Sequence, residues 1–335
     1  MRPPCIKTEA LICAMALAGC TGSIGSGARG GGGEEVVNDN IAKSLCVVDT
    51  PIRRLTRFEY NNTVRDLLGD TTRPADVLPP EEEVAGFSNQ AAALTTSDLL
   101  IEQYMKVAED VGARAVQNVG ALIPDCSPEL DGADTCATQF IDDFGMRAFR
   151  RPLTLSEATR YKTLFDGAMN DPDLGRFEDG IQMVIEAVLQ SPSFLYRAEL
   201  GDEAPIEGDI VPFTSWEMAT KLSYMLWNTM PDDELFAAAA ADALRTKEQI
   251  EMQARRMVND EKASDLIRNF HTQWLQLGHL DSVTKDTGVY PDFRGSLRSL
   301  WKEEIQRFIE HVILEGDGSL DTLLTADFSF MNEEL

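Results

Sequence analysis

The 335-residue chain is poor in the side chains that most often carry chemistry. It has three histidines, His271, His279 and His311. None stands four residues from another, and none falls within H-E-x-x-H or E-x-x-H, so the zinc-protease and di-iron bundle patterns lack their ligands. G-x-S-x-G is absent, which removes the commonest serine-hydrolase signature. C-x-x-C-H is absent too, and with it a covalently attached haem. Positive charge is scarce: 30 Lys and Arg face 56 Asp and Glu, a net charge of −26 that repels nucleic acid and anionic lipid. Strand signals are few, and Ile210-Val211-Pro212-Phe213 is interrupted by its proline. Gly25, Gly27 and Gly30 match G-x-G-x-x-G spacing, but no strand or helix flanks them as a dinucleotide site requires. No metal and no cofactor is expected.

The amino terminus holds more information. Leu17-Ala18-Gly19-Cys20 closes an apolar run from Ala10 to Ala18 that follows Arg2 and Lys7. Such a run is far shorter than the about 20 residues that span a bilayer, and it reads as a cleaved secretory leader over residues 1–19. Its end resembles the bacterial lipobox, which implies a lipid on Cys20 and a mature protein tethered to the cell envelope. Thr21 stands where an aspartate often holds lipoproteins at the inner membrane, so the outer membrane is the expected site. Residues 21–33 contain seven glycines, and residues 20–50 read as a flexible tether with a reach near about 30 Å. Beyond Cys20 remain Cys46, Cys126 and Cys136. The turn-rich stretch between the last two suits a disulfide in an oxidising compartment, adding about 2–3 kcal/mol. Cys46 is left over, either free or paired outside this chain.

Helix signals recur along the remainder. Thr56/Glu59, Thr154/Glu157, Thr214/Glu217 and Thr246/Gln249 have capping-box spacing, and Thr95/Asp98 is a weaker relative. Ile181, Val184, Ile185, Val188 and Leu189 recur at helical intervals; Leu100, Tyr104, Val107 and Val111 do the same, as do Leu297, Trp301, Ile305 and Phe308. Gly69 and Pro152 mark stops, and Pro231 suits a first helical turn. These signals predict an all-α fold of successive helical bundles: a first domain over 51–120, a second over 121–205 and a third over 206–335.

Several segments are similar to a series of domains of unknown function in planctomycete and myxobacterial envelope proteins. Arg53-Arg54-Leu55-Thr56-Arg57, Glu59 to Leu68 and Gly86-Phe87-Ser88-Asn89 resemble the first domain. Arg147 to Thr154 and Ser191 to Arg197 resemble the second. Leu222 to Trp227, Met230 to Leu235, Gln273-Trp274-Leu275 and Ala326 to Asn332 resemble the third, DUF1592. The resemblance implies an envelope protein, often accompanied by cytochrome-type domains, with no reaction established. It also implies further C-terminal domains, so that the chain reads as C-terminally truncated.

Two groups of side chains invite a ligand. Arg147, Arg150 and Arg151 offer guanidinium forks for a carboxylate or a sugar acid, against the alternative that they pair with internal carboxylates. Trp216, Trp227, Trp274 and Trp301 suit stacking on sugars, against core packing, which their helical spacing favours. The function that follows is a membrane-tethered, non-catalytic module that binds an envelope protein or polysaccharide and no nucleic acid. The competing class is part of an envelope enzyme or cytochrome-associated redox system whose chemistry lies in the missing domains.

Overall fold

The computed structural model describes residues 51–201 and 211–335. The leader, Cys20, the tether and Cys46 lie outside the described residues. Almost every element is a helix. Strand β1 (Arg53–Arg54) leads into α1 (Arg57–Leu68), where Thr56 Oγ1 accepts from the Glu59 amide at 3.2 Å and Glu59 Oε2 accepts from the Thr56 amide at 2.8 Å. The helix stops at Gly69, whose φ of +72° a residue with a side chain adopts only at a cost.

Helix α2 spans Asp98–Ala115 and begins later than Thr95 suggests. Ser97 is the cap, its hydroxyl accepting from the Leu100 amide at 3.2 Å, and Asp98 enters the first turn, where its charge suits the helix dipole. Three longer helices follow, with single turns at Val119–Leu122 and Pro192–Leu195 on either side of them: α3 (Ala133–Phe149), α4 (Leu155–Met169) and α5 (Phe177–Leu189). Strand β2 (Tyr196–Arg197) pairs antiparallel with β1, Arg53 opposite Arg197 and Arg54 opposite Tyr196. This ladder is a small exception to the all-α reading, and residues 211–213 form no strand.

The rest of the chain carries α6 (Ser215–Leu226), α7 (Asp233–Ala240), α8 (Lys247–Val258), α9 (Ala263–Trp274), α10 (Leu297–Glu310) and α11 (Leu320–Thr325). Pro231 is outside α7, not in its first turn; the cap is Asp232, which accepts from the Leu235 amide at 2.9 Å. Among the described residues, no helix is long and apolar enough to cross a membrane.

Apolar side chains gather into two cores. The first takes Tyr60 and Val64 from α1, Tyr104 and Val111 from α2, Phe140 and Phe144 from α3, and Ile181 and Ile185 from α5. Residues 51–120 and 121–201 therefore share one interior. Close approach makes this possible: a Cβ on Gly112 of α2 would stand 3.0 Å from Glu186 Cγ on α5. The second core joins α6, α7 and α8 through Leu222, Trp227, Leu235 and Met257. Trp227 is fully buried, and its indole N–H donates to the Met257 carbonyl at 2.9 Å. Each fully buried large apolar side chain contributes about 1.5–3 kcal/mol.

Candidate functional site

The arginines come first, because sequence points to them. Arg150 ends α3 in the left-handed region, φ +59°, and its side chain turns inward to near-complete burial. Its Nη2 donates to the carbonyls of Ser193 (2.8 Å), Phe194 (3.1 Å) and Tyr196 (3.1 Å). Burial pushes its pKa below the usual arginine value, and the neighbouring Tyr224 hydroxyl opposes that shift. Arg197 reaches Glu59 at 3.0 Å and lies 4.6 Å over the Tyr224 ring. Arg54 donates to the Tyr104 hydroxyl at 2.7 Å, and Thr63 Oγ1 meets Tyr224 Oη at 2.8 Å. Residues quoted from all three resembled domains thus meet in one buried polar hub.

Arg147 and Arg151 point elsewhere. Arg147 pairs with Asp233 at 2.5 Å and sits 5.8 Å over the Phe236 ring. Arg151 grips both Glu157 oxygens, at 2.9 and 2.8 Å. That bidentate bond, helped by the Thr154 amide and hydroxyl, lowers the Glu157 pKa to about 2. The three forks hold three separate sets of internal partners, which is the alternative the sequence also offered, with Arg150 taking backbone carbonyls where Arg147 and Arg151 take carboxylates. Cys126 and Cys136 are joined in a disulfide. Asp131 lies beside the two sulfurs, but disulfide sulfurs are not thiolate ligands, so this group does not suit a metal.

The surface feature that stands out forms where two distant motifs meet. Val84 and Phe87 exchange backbone hydrogen bonds of 2.9 and 3.1 Å around Ala85 and Gly86, both at positive φ (+54° and +85°). This is the geometry of a two-residue primed hairpin turn. The hairpin lies on the last turns of α9. Ser88 donates to Gln273 Oε1 through its amide (2.8 Å) and its hydroxyl (3.1 Å), and Gln273 Nε2 donates to Asn269 Oδ1 at 2.9 Å. Phe87 stacks on Phe270 with centroids 5.6 Å apart, and Phe270 on Trp274 at 6.0 Å, each pair tilted by 29°. His271 approaches Trp274 edge-on at 5.7 Å. Its Nδ1–H donates to the Ile267 carbonyl at 2.7 Å, and burial lowers its pKa against the opposing pull of that bond.

The resulting aromatic shelf faces solvent. Trp274 is 40% exposed, as is Leu275, and Val84 is 37% exposed. Gln276 closes α9 at φ +53°, so residues with side chains hold the left-handed region on both borders of the shelf. Sequence reasoning grouped Trp274 with the core tryptophans. The signal it passed over was its position in the last turn of α9, four residues after Phe270 and directly before Leu275-Gln276. Trp227 is core, Trp216 borders the second core and Trp301 is half-buried.

Two hollows are lined by residues outside the shelf. A groove of about 580 Å³ between α9 and α10 is lined by Arg268, Asp281, Lys302, Glu303, Arg307 and Glu310. Its charges cancel in pairs: Arg268 with Glu310, Lys302 with Asp281 (2.7 Å) and Arg307 with Glu303 (2.7 Å). A hollow of about 250 Å³ lies against Ile305, Phe308, Leu323 and Phe328.

Three families match the chain in consecutive blocks. Residues 53–117 match PSD3, a protein of unknown function (DUF1587). Residues 136–199 match PSD5, a protein of unknown function (DUF1595), and residues 213–335 match PSD4, a protein of unknown function (DUF1592). No curated protein and no solved structure matches the chain. The hub draws Arg54, Glu59 and Tyr104 from the first block, Arg150 and Arg197 from the second and Tyr224 from the third. The shelf draws Phe87 from the first block and Phe270 and Trp274 from the third.

Proposed function

For a chain that carries the DUF1587, DUF1595 and DUF1592 families in that order, we propose a non-catalytic binding module tethered to the cell envelope. A lipid on Cys20 holds it at the outer membrane, residues 20–50 act as the leash, and the helical body presents the aromatic shelf to an envelope partner. The observation that carries this reading is the shelf itself: Phe87, Phe270 and Trp274 stacked in series at the surface, the last of them 40% exposed in a fold that buries Trp227 completely. Exposed aromatic surface of this kind marks interaction sites. Three displaced carboxylates illustrate internal use, while the one displaced histidine, His271, supports the shelf from within the fold. Glu157 is held down by Arg151. Asp66 and Asp232 are also held below the ordinary aspartate value: burial alone would raise both, but Arg65 and Lys262 overcome it at the first and Arg256 at the second. All three are locked in internal pairs, and none faces the shelf.

The test separates anchoring from binding. The full chain expressed in a diderm host is expected in the membrane fraction with an acylated amino terminus, and Cys20→Ser is expected in the soluble periplasmic fraction. An unmodified, uncleaved amino terminus in the cytosol would end the tethering part. Purified Cys20→Ser protein is expected to co-sediment with isolated envelopes, and failure to do so would end the binding part.

A further inference from the structure

We propose that the Phe87–Phe270–Trp274 shelf binds a neutral polysaccharide, with a pyranose ring lying against the Trp274 indole. This rests on the binding-module reading and names the ligand class of that site. A pyranose has an apolar C–H face rimmed by hydroxyls, so it is best met by a fixed aromatic plane bordered by unused hydrogen-bonding groups. Both parts are present. Phe270 and His271 support Trp274 from within the fold, at 6.0 and 5.7 Å between centroids, leaving the rest of the indole to solvent. The two Ser88–Gln273 hydrogen bonds fix the hairpin that carries Phe87. The Trp274 indole N–H and the Gln276 carboxamide, whose Nε2 lies 3.8 Å from where a Cβ on Gly86 would stand, have no side-chain hydrogen-bond partner among the described residues.

Charge and size narrow the class. Glu82 and Glu83 run directly into the hairpin, both exposed and neither in an ion pair among the described residues. With a chain charge of −26 they repel uronic-acid and phosphate polymers, whereas a neutral glycan meets no such barrier. The apolar shelf comprises Val84, Phe87, Phe270, Trp274 and Leu275, two of the rings half-buried. The three stacked rings offer a platform for about one to three sugar rings, with affinity built up along a repeating polymer.

The experiment uses the purified full-length Cys20→Ser chain. Its migration is followed in native gels containing hydroxyethylcellulose, glucomannan, laminarin or polygalacturonate, and its tryptophan fluorescence is titrated with the matching neutral hexasaccharides. At least one neutral polymer is expected to retard the chain, and polygalacturonate is not. Trp274→Ala is expected to weaken that binding by about tenfold or more, and Trp274→Phe by less, because a flat ring remains. The melting temperature of each variant is measured alongside, so that lost binding is not confused with lost fold. No retardation by any neutral polymer, equal binding by Trp274→Ala, or preference for polygalacturonate overturns the proposal. Retention on envelope proteins with no glycan binding also overturns it, while leaving the binding-module reading in place. Failure to bind glycans and envelopes alike removes both.

Discussion

Glu157 shows how one side chain can serve two structures at once. It closes the capping box of α4 and receives the Arg151 fork that follows α3, so it fixes the angle at which the chain leaves one helix and enters the next. These bonds favour its charged form in the folded state and lower its pKa from 4.5 to about 2. A depressed carboxylate stabilises the fold fully above its unfolded pKa, and that stabilisation is lost as the pH falls through the window from 4.5 to about 2. Glu157→Gln is therefore expected to cost about 1 kcal/mol at pH 7, a figure restrained by the solvent that reaches the pair. The gap in melting temperature between the parent and the variant should narrow on going from pH 7 to pH 3.5. A gap that stays constant over that range would show that ionisation of Glu157 plays no part in it.

At the scale of elements, the helix starts and the buried stripes were open to reading, and the contacts between elements were not. Thr56, Thr154, Thr214 and Thr246 each cap a helix, because a capping box depends only on residues three apart. The Thr95 start failed because Ser97 offers the same hydroxyl immediately before the first helical residue. Helix-to-helix fit depends instead on side chains far apart in sequence, and Gly180 is an example. It lies on α5 against Phe165 of α4, where an added Cβ would come within 2.5 Å of the Phe165 ring. An aromatic ring locked in a core cannot yield as a flexible chain end does. Gly180→Ala is expected to destabilise the protein by about 1–3 kcal/mol despite the better helix propensity of alanine. An unchanged urea midpoint would mean that α4 and α5 can separate without cost. The shelf was hidden for the same reason as the glycine contact: Gly86-Phe87-Ser88-Asn89 and Gln273-Trp274-Leu275 were each visible as motifs, but nothing local says that Ser88 bonds Gln273 across 185 residues.

Across the whole molecule, cationic side chains are used sparingly and placed at the joins. The chain has nearly two acids for every base, yet Arg54, Arg150 and Arg197 are withdrawn from solvent into the hub that connects the three matched blocks. Lys262 performs a similar service on the other side, reaching Asp66 of α1 at 3.0 Å while lying 5.3 Å from the Trp227 ring. Because Thr63 and Arg150 both contact the Tyr224 hydroxyl, the first core and α6 share polar partners as well as apolar ones. Unfolding of either core then uncovers groups that the other depends on. Arg150→Ala would leave the carbonyls of Ser193, Phe194 and Tyr196 buried without their donor, each unmet group costing about 1–3 kcal/mol before relaxation. The expected net loss is about 3–5 kcal/mol, and Arg150→Lys should recover only part of it, since an ammonium cannot reproduce the planar fork. Tryptophan fluorescence reports on the third block, which holds all four indoles, and far-ultraviolet circular dichroism on all the helices, so their denaturation midpoints should fall together in Arg150→Ala. A shift in one probe with the other unmoved would mean that the blocks unfold as separate units and that the hub does not couple them.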